Sequence, residues 1–139
     1  MRITISIIAL FLCLLTSCDP VLRAELINKT DRKILLKINF DSTGINYDYG
    51  KNKYLDILKS FSDEPGVTTL SLDTLNLTET FILNPKAKIT LVEGIRGPRY
   101  DMFNKMEIIG RDTIFLNNKE EIKNAFKKTG SFKWQLIVK

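Results

Sequence analysis

Apolar and polar residues alternate with a period of two along much of this chain. Ile34, Leu36, Ile38 and Phe40 interleave with Lys33, Leu35, Lys37 and Asn39, which places one set on a core face and turns the lysines outward. Residues 24–28 read as a partner strand, joined through the polar turn Asn28-Lys29-Thr30-Asp31, so an N-terminal hairpin is expected. Residues 67–83 form a second strand region. Leu70 and Leu72 share one phase and Leu75, Leu77, Phe81 and Leu83 the other, so a bulge or a turn is required near Asp73-Thr74. Residues 88–93 follow, with Ile89 and Leu91 inward. Residues 106–109 and 113–116 flank Gly110-Arg111-Asp112 as a hairpin. Residues 131–139 close the pattern, with Phe132, Trp134, Leu136 and Val138 in one phase.

Two segments switch to helical spacing. Asn118-Lys119-Glu120-Glu121 resembles a capping box, in which the Asn side chain accepts from the backbone N–H at Glu121. Ile122, Ala125 and Phe126 then make a stripe, Lys127 and Lys128 fall in the last turn, and Gly130 is a suitable terminator. Leu55, Leu58 and Phe61 share one face of a second helix expected over 52–61. Together these elements predict a mainly β fold: an antiparallel β-sandwich or small barrel of about seven strands, with one or two short helices.

The N-terminus is of a different kind. Met1-Arg2 precedes an apolar run from Ile3 to Leu15, then Thr16-Ser17-Cys18. A run of about 13 residues is short of the roughly 20 that span a bilayer, and the layout is that of a secretory signal peptide. Leu15-Thr16-Ser17-Cys18 resembles the lipobox of bacterial lipoproteins. The resemblance implies that residues 1–17 are a signal peptide, cut before Cys18, and that Cys18 carries a diacylglycerol and an acylated amine. Residues 18–23 are then the lipidated Cys and a short tether, and 24–139 a single β-rich domain. The partner so implied is a lipid bilayer, reached through acylated Cys18. Each buried CH₂ contributes about 0.8 kcal/mol, so two or three chains hold such a domain on a membrane. The expected location is the cell membrane or outer membrane, lipid-anchored and facing the periplasm.

Composition narrows the chemistry. The 139 residues are 44% hydrophobic and 27% charged, the balance of an ordinary globular domain. There is no His, and of the two cysteines Cys13 would leave with the signal peptide. His-based triads, His-ligated metals and zinc ribbons are excluded, and no cofactor or metal is expected. The serines sit in no G-x-S-x-G elbow. The carboxylates Asp63-Glu64 precede the turn residues Pro65-Gly66, and the Asn39, Asp41, Asn46 and Asp48 oxygens do not have EF-hand spacing. The seven glycines are dispersed and build no phosphate loop. Loss of Arg2 with the leader leaves 20 basic against 16 acidic residues, an excess of +4, which suits anionic lipid or polysaccharide better than it suits nucleic acid outside the cytoplasm.

Candidate binding residues lie in two loops. Tyr47, Asp48 and Tyr49 combine aromatic faces with a carboxylate within the segment 41–54, and Arg96, Arg99 and Tyr100 flank Gly97-Pro98. Asp41-Ser42-Thr43, Asp73-Thr74-Leu75 and Asp112-Thr113-Ile114 resemble the O-glycosylation sequon of exported Bacteroidetes proteins. That resemblance makes Ser42, Thr74 and Thr113 the acceptors, and the chain as a whole looks like small lipoproteins of that phylum. The expected function is a non-catalytic binding or structural role in the envelope, with a protein partner or an envelope polysaccharide. The alternative is an immunity or inhibitor lipoprotein that blocks a toxin or a lysozyme-like enzyme.

Overall fold

The strictest alternation in the chain becomes the centre of a sheet. The computed structural model describes residues 20–49, 56–57, 61–95 and 97–139, with the backbone alone at 47–49 and 62. Strand β2 (Ile34–Phe40) buries Ile34, Leu36, Ile38 and Phe40 on one face. It lies between β4 (Thr78–Leu83) and β6 (Phe103–Ile109), both antiparallel to it. Strand β3 (Val67–Asp73) is one edge of this sheet and β7 (Thr113–Leu116) the other, in the order β3-β4-β2-β6-β7.

The second sheet has the order β5-β1-β9-β8. Its members are β1 (Leu22–Asn28), β5 (Lys88–Gly94), β8 (Lys127–Gly130) and β9 (Lys133–Val138). The pairs are antiparallel except β1 with β9, which run parallel. One hydrophobic cluster joins the sheets: Ala24, Leu26, Ile89 and Leu91 from one meet Leu36, Ile38, Phe81 and Met106 from the other. The fold is thus mainly β, a sandwich and not a closed barrel, with nine strands among the described residues.

The expected N-terminal hairpin is absent. Strands β1 and β2 belong to different sheets, and the segment between them is an arch that crosses the sandwich. A two-residue hairpin needs a Gly or Asn-Gly turn with positive φ, and this connection contains no glycine. The side chain of Asn28 fills the bend instead. Its Nδ2 donates to the carbonyls of Arg32 (2.8 Å), Leu83 (3.2 Å) and Asn84 (3.0 Å). Its Oδ1 accepts from the Thr30 N–H (3.0 Å) and hydroxyl (2.7 Å). Its backbone N–H donates to Ala87 and its carbonyl accepts from Lys86. One fully buried amide therefore ties the arch to the β4–β5 turn.

Other differences have local causes. The slip near Asp73 is a turn that separates β3 from β4. Asp73 Oδ1 accepts from the N–H groups of Leu75 and Asn76, and Leu77 adopts φ +48°. Leu75, placed by the sequence in the phase of Phe81 and Leu83, is 93% exposed there. The segment 41–54, expected as a loop, contains a helix, α1 (Ser42–Tyr49). Asp41 Oδ1 caps it through the Thr43 N–H. Gly44 lets it approach the next loop, since a Cβ at that position would lie 2.2 Å from the Asp101 carbonyl oxygen. Of the helix expected over 52–61, Asp56 and Ile57 are helical and Phe61–Asp63 is a 3₁₀ turn, while the rest lies outside the described residues. Helix α2 (Lys119–Ala125) has the predicted Asn118 cap, but it ends early. Phe126 turns extended to bury its ring, and Lys127 opens strand β8 where a last helical turn was expected. Phe132, expected in the core, is half exposed at the mouth of β9.

Replacing Asn28 by Ala removes a fully buried side chain that makes five hydrogen bonds, which costs about 3 kcal/mol. Asn39→Ala, which removes a side chain bonded to Asn76 and Thr78 nearer the surface, costs about 1 kcal/mol. Urea unfolding of the two variants measures the contrast, and equal midpoints contradict this role for Asn28.

Candidate functional site

Strand register decides which loops share an end of the sandwich. Leu22 pairs with Gly94, Arg23 with Lys133, and Phe40 with Phe103. The entry to β1, the exit of β5, the start of β9, helix α1 and the segment 97–102 therefore gather at one end, the tether end. Asn28 pairs with Val138, Ile34 with Leu83, and Ile109 with Thr113. The arch, the β4–β5 and β6–β7 turns and Lys139 gather at the far end.

The sequence-predicted binding residues that are described lie at the tether end. Tyr47, Asp48 and Tyr49 occupy the second half of α1, where the backbone alone is described. Cys18 and Arg96 lie outside the described residues. Arg99 pairs with Asp101 at 3.5 Å. Tyr100 is buried, and its ring packs on Phe126 with centroids 5.3 Å apart. Among the described residues its hydroxyl has no hydrogen-bond partner, and burial pushes it up to about 12. The Tyr100 ring therefore packs α2 against the 97–102 segment. Ser42, Thr74 and Thr113 are all exposed, at the first residue of α1, in the β3–β4 turn and at the first residue of β7. Asp41, ahead of Ser42, is held below the usual carboxylate range by its hydrogen bond from Lys119, and Asp73, ahead of Thr74, by its bond from the Asn76 side chain.

Three exposed apolar side chains mark the same end. Val21 is 47% exposed, Ile95 60% and Phe132 50%. They stand at the ends of β1, β5 and β9, which are neighbours in the sheet, about 5 Å from strand to strand. Arg23 and Lys133 lie directly behind them, in ion pairs with Glu93 (2.8 Å) and Glu25 (3.6 Å).

Each sheet buries one glutamate, and the two are treated differently. Glu25 faces outward from β1 but is only 2% exposed. Burial pushes its carboxyl up, yet hydrogen bonds from Gln135 (3.0 Å) and Lys88 (3.3 Å), with the charges of Lys88 and Lys133, outweigh this and hold it below the usual range. Glu79 shares the inward phase of β4 with Phe81 and Leu83. Its Oε1 accepts from the Thr69 hydroxyl at 3.2 Å, and its buried Oε2 has no partner among the described residues. Burial against that single bond pushes it up to about 7. The phase of Phe81 and Leu83 in the sequence already pointed Glu79 inward.

Concave features among the described residues include two of similar size. A cleft of about 370 Å³ lies between the 3₁₀ turn and β5, lined by Ile57, Phe61, Glu64, Thr90, Leu91, Val92 and Glu93. Both of its carboxylates are engaged, Glu64 by the Thr90 N–H (3.2 Å) and Glu93 by Arg23, so they cap a strand edge and brace a sheet instead of converging as an acid–base pair. At the far end a groove of about 390 Å³ is lined by residues 30–34, Gly110, Arg111 and Lys139. Sequence reading missed this groove because its residues come from three distant stretches. Among the described residues no three His, Cys, Asp or Glu side chains come together as a metal site, and no helix is long and apolar enough to cross a membrane. Comparison of the chain with protein-family models, curated proteins and solved structures returns no match.

The raised Glu79 has a signed consequence. A folded-state value above the unfolded one means that the folded chain holds the proton more tightly. The contribution is complete below about pH 4.5 and is lost as pH rises through about 7. The loss approaches about 3 kcal/mol. Glu25, Asp41 and Glu107 act oppositely at low pH, since their lowered values make stability fall as they protonate. Urea unfolding as a function of pH is expected to peak on the acid side of neutrality. In Glu79→Gln the decline toward pH 8 disappears, and a decline that survives the substitution contradicts the assignment.

Proposed function

We propose that this protein is a lipid-anchored envelope lipoprotein with a non-catalytic binding role, held on a bilayer through Cys18 and facing the periplasm. The observation that carries the reading is the exposed apolar row at the tether end. Val21, in that row, follows Cys18 by three residues, a reach of at most about 11 Å. Acyl chains on Cys18 bring Val21, Ile95 and Phe132 to the headgroup boundary, where apolar side chains are relieved of water. Arg23 and Lys133 behind the row favour anionic headgroups. The row is too small to bury a stable protein interface, and it faces the side from which the tether comes.

A binding role is favoured over catalysis by how the carboxylates are used. Glu64, Glu93, Glu25 and Asp41 each serve a strand edge, an ion pair or a helix cap. The exposed hydroxyls of Ser42, Thr74 and Thr113 leave room for a glycan at each candidate sequon.

Mass spectrometry of protein purified from its native envelope tests the anchor. The expected N-terminal residue is Cys18 carrying a diacylglycerol, and Cys18→Ser is expected to accumulate with residues 1–17 still attached. A mature chain that begins upstream of Cys18, or one with a free thiol there that washes off in aqueous buffer, contradicts the proposal.

A further inference from the structure

We propose that the far-end groove is a binding site for an acidic polysaccharide of the envelope, whose carboxylate or phosphate groups it takes between Arg32, Lys33, Arg111 and Lys139. The site is defined by the fold itself, while its direction, away from the anchoring leaflet, rests on the lipoprotein reading above.

Charge is the first argument. Four residues with cationic side chains line the groove, against one with an acidic side chain, Asp31. That carboxylate lies 4.0 Å from Arg32, and both side chains are at least 80% exposed, so the pair is weak and open to exchange. Two of the cations are guanidinium groups, whose planar fork matches an oxyanion in bidentate fashion.

Preorganisation is the second. The loop that carries Arg32 and Lys33 is the arch held by Asn28. The Thr30 hydroxyl, which donates to Asn28 Oδ1, accepts the Arg32 N–H (3.2 Å) and lies 2.9 Å from the Arg32 carbonyl oxygen. On the other wall, Gly110 donates its N–H to the Asp112 carbonyl, which closes the turn that carries Arg111. Gly110 also lies close on β2: a Cβ there would come 3.2 Å from the Ile34 Cγ2. The backbone under the two guanidinium groups is fixed before a ligand arrives, so little ordering cost falls on that part of binding.

Size and direction select the ligand. A volume of about 390 Å³ sits at the low end of small-ligand sites, roughly 300–1,000 Å³, and admits a short stretch of sugar. No aromatic side chain lines it, and the apolar one present, Ile34, is buried in the core. A protein partner would have no apolar anchor to grip. Strand β1 separates the groove from the tether by seven residues, about 20 Å, which keeps it clear of the headgroups around Cys18. A polymer lying over the membrane fits that position.

The test uses the acylated full-length protein in neutral phosphatidylcholine vesicles, titrated calorimetrically with oligogalacturonate and with a phosphorylated mannan oligosaccharide. Neutral dextran, poly-glutamate and phosphatidylglycerol vesicles complete the set. At least one acidic glycan is expected to bind, more weakly at higher salt, and neutral dextran is not. Arg32→Glu with Arg111→Glu lowers that affinity by about tenfold or more. Lys123→Glu with Lys127→Glu, the same charge change near α2, leaves it unaltered, and thermal unfolding checks that both variants fold. Binding of neither acidic glycan overturns the proposal, as do equal losses in the two variants or a preference for poly-glutamate or anionic vesicles that the Arg32→Glu, Arg111→Glu variant loses. If protein from its native envelope carries no lipid on Cys18 and still binds the glycan, the anchor fails and the groove stands. An intact lipid without glycan binding would do the reverse.

Discussion

The far half of the sandwich depends on one buried amide. Asn28 closes β1, yet its side chain reaches carbonyls on the arch and on the opposite sheet's β4–β5 connection, so a single residue joins three segments that are remote in sequence. An amide in an apolar interior is costly unless its donors and acceptor are all engaged. Here they are, and that completeness makes the bend specific. An apolar side chain could fill the same space but would lose every one of the bonds that join the arch to the β4–β5 turn. The arch is rigid for the same reason, and Arg32 and Lys33 stand on a fixed base.

The sandwich manages its charges by position. Glu25 lies on an outer sheet face, where cations reach both of its oxygens. Glu79 points into the core, where among the described residues only the Thr69 hydroxyl meets it. One carboxyl is kept ionised and the other favours its neutral form, although the two types of residue are identical. Polarity differs from end to end as well. Val21, Ile95 and Phe132 stand exposed at one end, and Arg32, Lys33, Arg111 and Lys139 gather at the other. Such a molecule has a natural way up if acyl chains hold it at residue 18.

Much of the sheet architecture was legible because period-two alternation is a local signal. β2, β6, β7 and β9 follow from it, and the cap of α2 follows from four consecutive residues. The partner of β1 was not legible. Alternation in residues 24–28 gives a strand but not its neighbours, and its pairing with β5 and β9 is a long-range choice governed by the core. Helix α1 was hidden because Tyr-, Asn- and Asp-rich composition resembles a turn, while what stabilises it is the Asp41 cap and the close approach that Gly44 permits. The early end of α2 was hidden too, since the burial of Phe126 beside Tyr100 overrides a lysine-rich stretch that suits a helix terminus. The tether-end loops were visible as tyrosine- and arginine-containing segments. The groove was invisible, because Arg32, Arg111 and Lys139 become neighbours only when the sandwich closes.

The central claim is that the molecule stands on its bilayer with one end down and the other free. Spin labels placed at residue 95 and at residue 111 of the acylated protein in vesicles, with depth read from accessibility to oxygen and to a water-soluble relaxant, test it directly. The account predicts that the label at 95 lies at headgroup depth while the label at 111 sits about 20 Å out in water, as one strand's length requires. Equal depths for the two labels, or a label at 95 as exposed to the aqueous relaxant as the one at 111, would contradict it.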